Sequence, residues 1–162
     1  MSNEQPRAMV LVDVQNAYYT TRDAFAKHLN YNQLWADISH RYQIHVALAY
    51  AIERQDPKQQ SFQNILRAIG FEVKLKPFIQ RQDGSAKGDW DVGITVDAML
   101  YAEQVDVVIL VTGDGDFDIL AQTLRMHYHK RVEVYGVERL TAASLIKAAD
   151  QFIEINQPLL MP

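Results

Sequence analysis

Short apolar runs alternate along this chain with longer stretches of helical period. Residues 8 to 13 form an apolar run ending in Asp13, and further runs cover 44 to 52, 71 to 79, 107 to 111 and 132 to 137, with a shorter one at 152 to 155. Apolar runs of this length without strict alternation predict strands buried on both faces. Helical patterns fill the gaps: around 17 to 28, 33 to 42, 57 to 69, 92 to 103, 117 to 128 and 141 to 149. Asp56-Pro57 has the form of an N-cap followed by proline at the first helical position, and Gly70 is placed to stop that helix. Asn30 and Asn32 mark a break or cap between the first two helices. Residues 80 to 90, QRQDGSAKGDW, are polar and glycine-containing and predict a loop or hairpin tip.

Strand and helix in alternation predict an α/β fold: a doubly wound, Rossmann-like, mostly parallel sheet with helices on both faces. The expected order of the first five long strands is 3-2-1-4-5, with the first and fourth adjacent at the switch point. Ligands of such sheets bind beyond the strands' carboxyl ends, at that switch point.

This order makes sense of a crowd of acids. VTGDGDFDIL, residues 111 to 120, carries Asp114, Asp116 and Asp118 behind the apolar run at 107 to 111, and Asp106 stands before that run. Asp13 ends the first strand. The topology brings Asp13, Asp114 and Asp116 to one crevice. Asp91 and Asp97, flanking or within the helix after the polar loop, are further candidates. Six helical residues turn through about 240°, so both acids serve one site only if Asp91 sits at or before the helix start. Carboxylates gathered this closely repel and protonate unless a cation joins them. Mg²⁺ or Mn²⁺, which prefer oxygen ligands, fit that need. The bland alternative is capping: Asp114 and Asp116 at the GDGD turn, with Asp118 and Asp106 as ordinary surface acids.

Composition narrows the partners. The 162 residues suit one domain spanning 1 to 162, with a core at about 8 to 155, a polar N-terminal tail and a short C-terminal tail. Hydrophobic residues at 48% and charged residues at 22% are ordinary globular proportions. A formal charge of −4 does not favour a surface that attracts polyanions everywhere, but it permits a basic rim around a metal-loaded pocket. The chain contains no cysteine, which removes disulfides and thiolate chemistry and suits a reducing cytoplasm. Apolar runs are too short for a membrane span, so no membrane partner is expected. An open sheet allows a homodimer through an edge strand.

Three motifs in order resemble a known family. LVDVQN at 11 to 16 is similar to the D-x-x-N signature of NYN domains, which have the PIN-like ribonuclease fold. KGDWDVGITVDAML at 87 to 100 resembles the family's K-G-x-D segment and following helical aspartate. VVILVTGDGDF at 107 to 117 resembles its apolar strand followed by S-G-D-S-D-F. The likeness is nearest to the bacterial LabA-like branch. It implies a metal-dependent endoribonuclease that hydrolyses RNA phosphodiesters at an acidic crevice; the alternative is a non-catalytic RNA- or protein-binding regulatory module of the same fold. It further implies catalytic roles for Asp13, Asp91, Asp97, Asp114 and Asp116, with Asp13, Asp97, Asp114 and Asp116 as ligands of Mg²⁺ or Mn²⁺. Asn16, Lys87, Trp90 and Thr112 are the implied substrate-binding residues. Thr112 stands where the family has serine, Gly115 replaces a second serine, and Asp89 competes with Asp91 for the motif acid, with Asp91 keeping the six-residue spacing to Asp97.

Rival folds fit less well. A dinucleotide site needs a glycine-rich turn after strand one, and DVQNAYY has no glycine. A haloacid-dehalogenase-like phosphatase needs a second acid where Gln15 stands, and a response-regulator receiver needs paired acids before strand one. His127 and His129 sit near a helix C-terminus, where positive charge is favourable, and His28, His40 and His45 share no ligand spacing. Arg81, Lys87 and Trp90 in the polar loop are expected to grip RNA, the charges on phosphate and the indole on bases, and Tyr18 or Tyr19 offers another stacking face.

Overall fold

The computed structural model describes residues 5–53, 56–77, 79–80, 86–87 and 89–162. The chain runs β1 (Arg7–Asp13), α1 (Val14–Phe25), α2 (Tyr31–Arg41), β2 (Gln43–Glu53), α3 (Pro57–Ile69), β3 (Glu72–Pro77), β4 (Ile79–Gln80), β5 (Ala86–Lys87), α4 (Asp91–Tyr101), β6 (Val107–Val111), α5 (Asp118–Met126), β7 (Arg131–Gly136), α6 (Ala143–Ala148) and β8 (Gln151–Glu154). Six strands form one sheet in the order β3-β2-β1-β6-β7-β8, and every pairing in it is parallel. This is the expected doubly wound order, with β1 beside β6 and the run at 151–154 added as an edge strand.

Residue parity sorts the sheet's two faces. Val10, Val12, Ala49, Ile109 and Val111 pack with Ala17, Leu34, Ile38 and Leu66 of α1, α2 and α3. Met9, Leu11, Leu48, Val108, Leu110 and Val134 pack with Ile94, Ala98, Leu120, Leu124 and Leu145 of α4, α5 and α6. Because successive strand residues point to opposite faces, an apolar residue at nearly every position of β1 and β6 is what two covered faces require.

Local signals behave as their chemistry dictates. Asp56 accepts from the Lys58 amide at 2.9 Å, with Pro57 opening α3. Gly70 closes that helix at φ 138°, where a β-carbon would lie 2.6 Å from the Trp35 ring. Asn30 caps α2 through the Gln33 amide. Some boundaries differ from expectation. α1 begins at Val14, directly after β1, because Asp13 itself serves as the N-cap. β3 stops at Pro77; residues 79–80 pair antiparallel with 86–87 in a separate two-stranded ribbon. A short 3-10 turn, Gly115–Phe117, precedes α5.

One buried charge lies away from the crevice. Glu133 of β7 is fully buried and accepts from Arg41 at 2.7 Å, from Arg131 at 2.9 Å and from the Tyr42 hydroxyl. Three donors hold its carboxyl below the usual range against the opposing effect of burial.

Candidate metal centre at the strand switch point

Parity and register assemble the centre. Asp13 has the parity of Met9 and Leu11, and Thr112 and Asp114 have the parity of Val108 and Leu110, so their positions fall on the face covered by α4 to α6. Asp91 is the first residue of α4, on that same face. One carboxylate oxygen from each of Asp13, Asp91 and Asp114 lies within 4.8 Å of the other two. Three segments distant in sequence thus deliver three hard oxygen donors to one point beyond the carboxyl ends of β1 and β6.

Hydrogen bonds hold two of the three. Asp13 accepts from the Asn16 amide and from the Thr112 hydroxyl, each at 3.3 Å. The Thr112 oxygen accepts from the Asp114 amide at 3.2 Å, so one hydroxyl links both acids. The Asn16 side-chain oxygen accepts from the Gly113 amide at 2.8 Å. Asp114 also accepts from the Asp116 amide at 2.9 Å. The capping role and the cluster role of Asp114 therefore coexist. Gly113 is required by close approach: a β-carbon there would lie 2.7 Å from the Leu140 carbonyl oxygen. The Ala142 amide donates to the Gly113 carbonyl at 3.0 Å, pinning the loop from its other side.

The three acids carry uncompensated charge. Among the described residues none of them forms an ion pair with lysine or arginine. Burial, reinforced by the charges of Asp114 and Asp89, pushes Asp13 up to about 6 against its hydrogen bonds from Asn16 and Thr112. Burial and the charges of Asp114, Asp89, Asp13 and Asp116 push Asp91 up to about 7. A divalent cation relieves such repulsion, and three carboxylates are a suitable donor set for Mg²⁺ or Mn²⁺.

Two of the expected acids, Asp97 and Asp116, lie outside this trio. Asp97 is buried and turned toward β2 and β3, where it accepts from the Tyr50 hydroxyl at 2.8 Å and pairs with Lys74 at 2.7 Å. The six-residue spacing from Asp91 carries it around and along α4, so it is committed to a lysine and not to the trio. Asp116 is exposed and outside the trio, although its charge reaches Asp91. Asp91, not Asp89, joins the trio; Asp89 is exposed and accepts from the Asp91 amide at 3.3 Å. Asn16, half-buried, and Thr112, buried, join the acids to the loop as orienting groups.

Trp90 is taken up by the fold. Its indole N–H donates to the Ala51 carbonyl at 2.8 Å, its ring lies 5.3 Å from Tyr50, and it packs against the Gly93 backbone. These contacts anchor the start of α4. Lys87 lies in β5, but its side chain falls outside the described residues, as does all of Arg81. Tyr18 is stacked on His28 at 5.1 Å, and Arg22 lies over Tyr19 at 4.8 Å. Tyr50 and Lys74, which hold Asp97, and Lys76, which bonds the Asp89 carbonyl, are residues that the sequence reading did not single out. The signal for the lysines was present: Val73-Lys74-Leu75-Lys76 alternates, as an edge strand with one uncovered face does.

A parallel doubly wound sheet with an acid trio at its switch point is the architecture of PIN-like proteins. The chain belongs to the NYN domain family, whose description matches residues 7–156. Over 109 residues it is 29% identical to the Low amplitude and bright protein LabA of Synechococcus elongatus, covering 63% of this chain and 58% of that one. The chain thus spans little more than half the length of this curated relative. A crystal structure of a protein of unknown function from Vibrio parahaemolyticus superposes with a TM-score of 0.94 at 52% identity over 99% of each chain. Among the described residues no helix is long and apolar enough to cross a membrane.

Proposed function

We propose that this protein is a divalent-metal-dependent ribonuclease acting at the Asp13–Asp91–Asp114 crevice. The observation that carries the reading is the trio itself: three carboxylates within 4.8 Å, with no cationic side chain paired to them among the described residues. Membership of the NYN family, whose fold is that of RNA-directed nucleases, supports RNA as the substrate. A cysteine-free chain suits activity in the reducing cytoplasm.

Asp13, Asp91 and Asp114 would hold Mg²⁺ or Mn²⁺. Such an ion, when bound, lowers the pKa of a coordinated water and offsets charge developing on a phosphoryl oxygen. The chain's own contributions are orientation and desolvation. Thr112 fixes Asp13 relative to Asp114, Asn16 holds the loop bearing Asp114, and Trp90 sets the position of Asp91. The reaction adds water across one phosphodiester: a P–O bond to water's oxygen forms, the P–O bond to one ribose breaks, and that ribose oxygen leaves as a hydroxyl.

The test is cleavage of single-stranded and structured RNA with Mn²⁺, Mg²⁺ or chelator. Cleavage with metal, absent with chelator and in Asp114→Asn, is expected. RNA binding without cleavage under every metal condition would replace this reading with that of a binding module.

A further inference from the structure

An acid trio repels the polyanion it is proposed to cut, so positive charge must stand beside it. The described residues offer two lysines on β3. Val73 and Leu75 pack toward α1 to α3, so Lys74 and Lys76 project to the face that carries the trio. β3 is the edge of the sheet. Asp13, Tyr50 and Lys74 are register partners in one row across β1, β2 and β3. Lys76, partner of Ile52, stands one pleat farther toward the carboxyl rim. Two strand spacings, about 10 Å, separate the β3 and β1 backbones.

The two lysines are not equivalent. Lys74 is spent on Asp97, and the pair as a whole is neutral. Lys76 donates to the Asp89 carbonyl at 3.0 Å and lies 4.6 Å from the centre of the Trp90 ring. A carbonyl and an indole face orient an ammonium without cancelling its charge. Among the described residues no carboxylate pairs with Lys76. An ammonium has three N–H donors, so donors remain for a ligand after the carbonyl takes one. The carbonyl belongs to Asp89, two residues before the trio's Asp91, which ties the lysine to the segment that builds the centre.

We infer that Lys76 is a phosphate contact for the RNA backbone, and that the strand crosses from the acid trio over the β3 edge. This rests on the ribonuclease reading above and names the side of the crevice that receives substrate.

The experiment measures binding of a labelled oligouridylate over a series of KCl concentrations. An Asp114→Asn background prevents turnover. Lys76→Met deletes the charge while its alkyl stem still covers Trp90. It should weaken binding severalfold at low salt and flatten the log–log salt slope by about 0.7, the value for one phosphate contact to a single strand. Lys76→Arg should keep the slope. Lys130→Met, a charge directly before the first residue of β7 and so at the opposite end of the strands from the crevice, should keep it too. An unchanged slope in Lys76→Met, with the parent binding normally, would overturn the lysine assignment alone. Failure of the parent to bind at any salt concentration would instead overturn the RNA reading on which it rests.

Discussion

The side-chain oxygen of Asn16 accepts a hydrogen bond from the Gly113 amide at 2.8 Å, joining the first turn of α1 to the loop after β6. Asp13 precedes one end of this link and Asp114 follows the other. The two acids come from strands that are neighbours only through the fold, and this bond, together with the Thr112 hydroxyl that links both acids, holds their segments together. Asn16→Ala leaves the Gly113 amide without its partner, a loss on the order of 1 kcal/mol in stability. Its larger effect is on the centre: losing a group that orients ligand-bearing segments typically lowers metal affinity about 10- to 100-fold. The shift in melting temperature on Mn²⁺ titration should therefore need correspondingly more metal than in the wild type. A wild-type titration curve in Asn16→Ala would show that the link is dispensable.

The raised values of Asp13 and Asp91 set a pH dependence with a definite sign. In the unfolded chain both carboxyls titrate near 4; folded, they reach about 6 and about 7. Between these limits the folded state binds more protons, so stability from these groups falls as pH rises from about 4 to about 7. In chelator at pH 7.5, Asp13→Asn should melt above the wild type, and the gap should close toward pH 4.5. With saturating Mn²⁺ at pH 7.5 the order should reverse, because the cation stabilises the three-acid form by about 2.7 kcal/mol at a hundredfold excess over its dissociation constant. A gap that does not change with pH would mean that Asp13 titrates normally.

Much of this was legible in the sequence because it depends on periodicity. Apolar runs gave six parallel strands, and the switch-point rule brought Asp13 to Asp114 from opposite halves of the chain. What periodicity cannot resolve is the direction of a side chain within a helix that is apolar nearly all round. α4 reads DVGITVDAMLY, and its two aspartates look alike on paper. One meets the trio and the other meets Lys74, because β3 presents a lysine to the face of α4 that Asp97 occupies. Trp90 was likewise ambiguous: an aromatic in a polar loop reads as a stacking face, and only the position of the Ala51 carbonyl shows it bound to the sheet.

The Lys74–Asp97 pair gives a stability prediction independent of the metal. Asp97 is buried, while Lys74 is about one-third exposed, so the pair is partly screened. Lys74→Met strands a buried carboxylate that keeps only the Tyr50 hydroxyl. Breaking a fully buried pair costs roughly 3–5 kcal/mol, and the exposure here reduces this to about 1–3 kcal/mol. Adding Asp97→Asn removes the stranded charge and should restore most of the loss. Urea denaturation of the two single variants and the double variant measures the coupling. Additive losses would mean that the lysine and the aspartate act independently.

Trp90 should report on the centre through its packing. The indole N–H bonds the Ala51 carbonyl, the ring leans on Tyr50, and Gly93 leaves room for it: a β-carbon at residue 93 would lie 2.5 Å from the indole Cε3. Asp91 is the next residue, so whatever moves the indole moves a member of the trio. Trp90→Phe removes the hydrogen bond to the Ala51 carbonyl and should cost about 1 kcal/mol. Gly93→Ala keeps the indole but displaces it. Both variants should lower the chelator-treated melting temperature and weaken Mn²⁺ binding, the second without any change in the tryptophan itself. Base stacking makes the opposite forecast. Trp90→Phe would then lose single-stranded RNA affinity while melting and binding Mn²⁺ as the wild type does, and Gly93→Ala would act only through the RNA. Melting curves with and without Mn²⁺ for these two variants decide whether the ring serves the fold or the substrate.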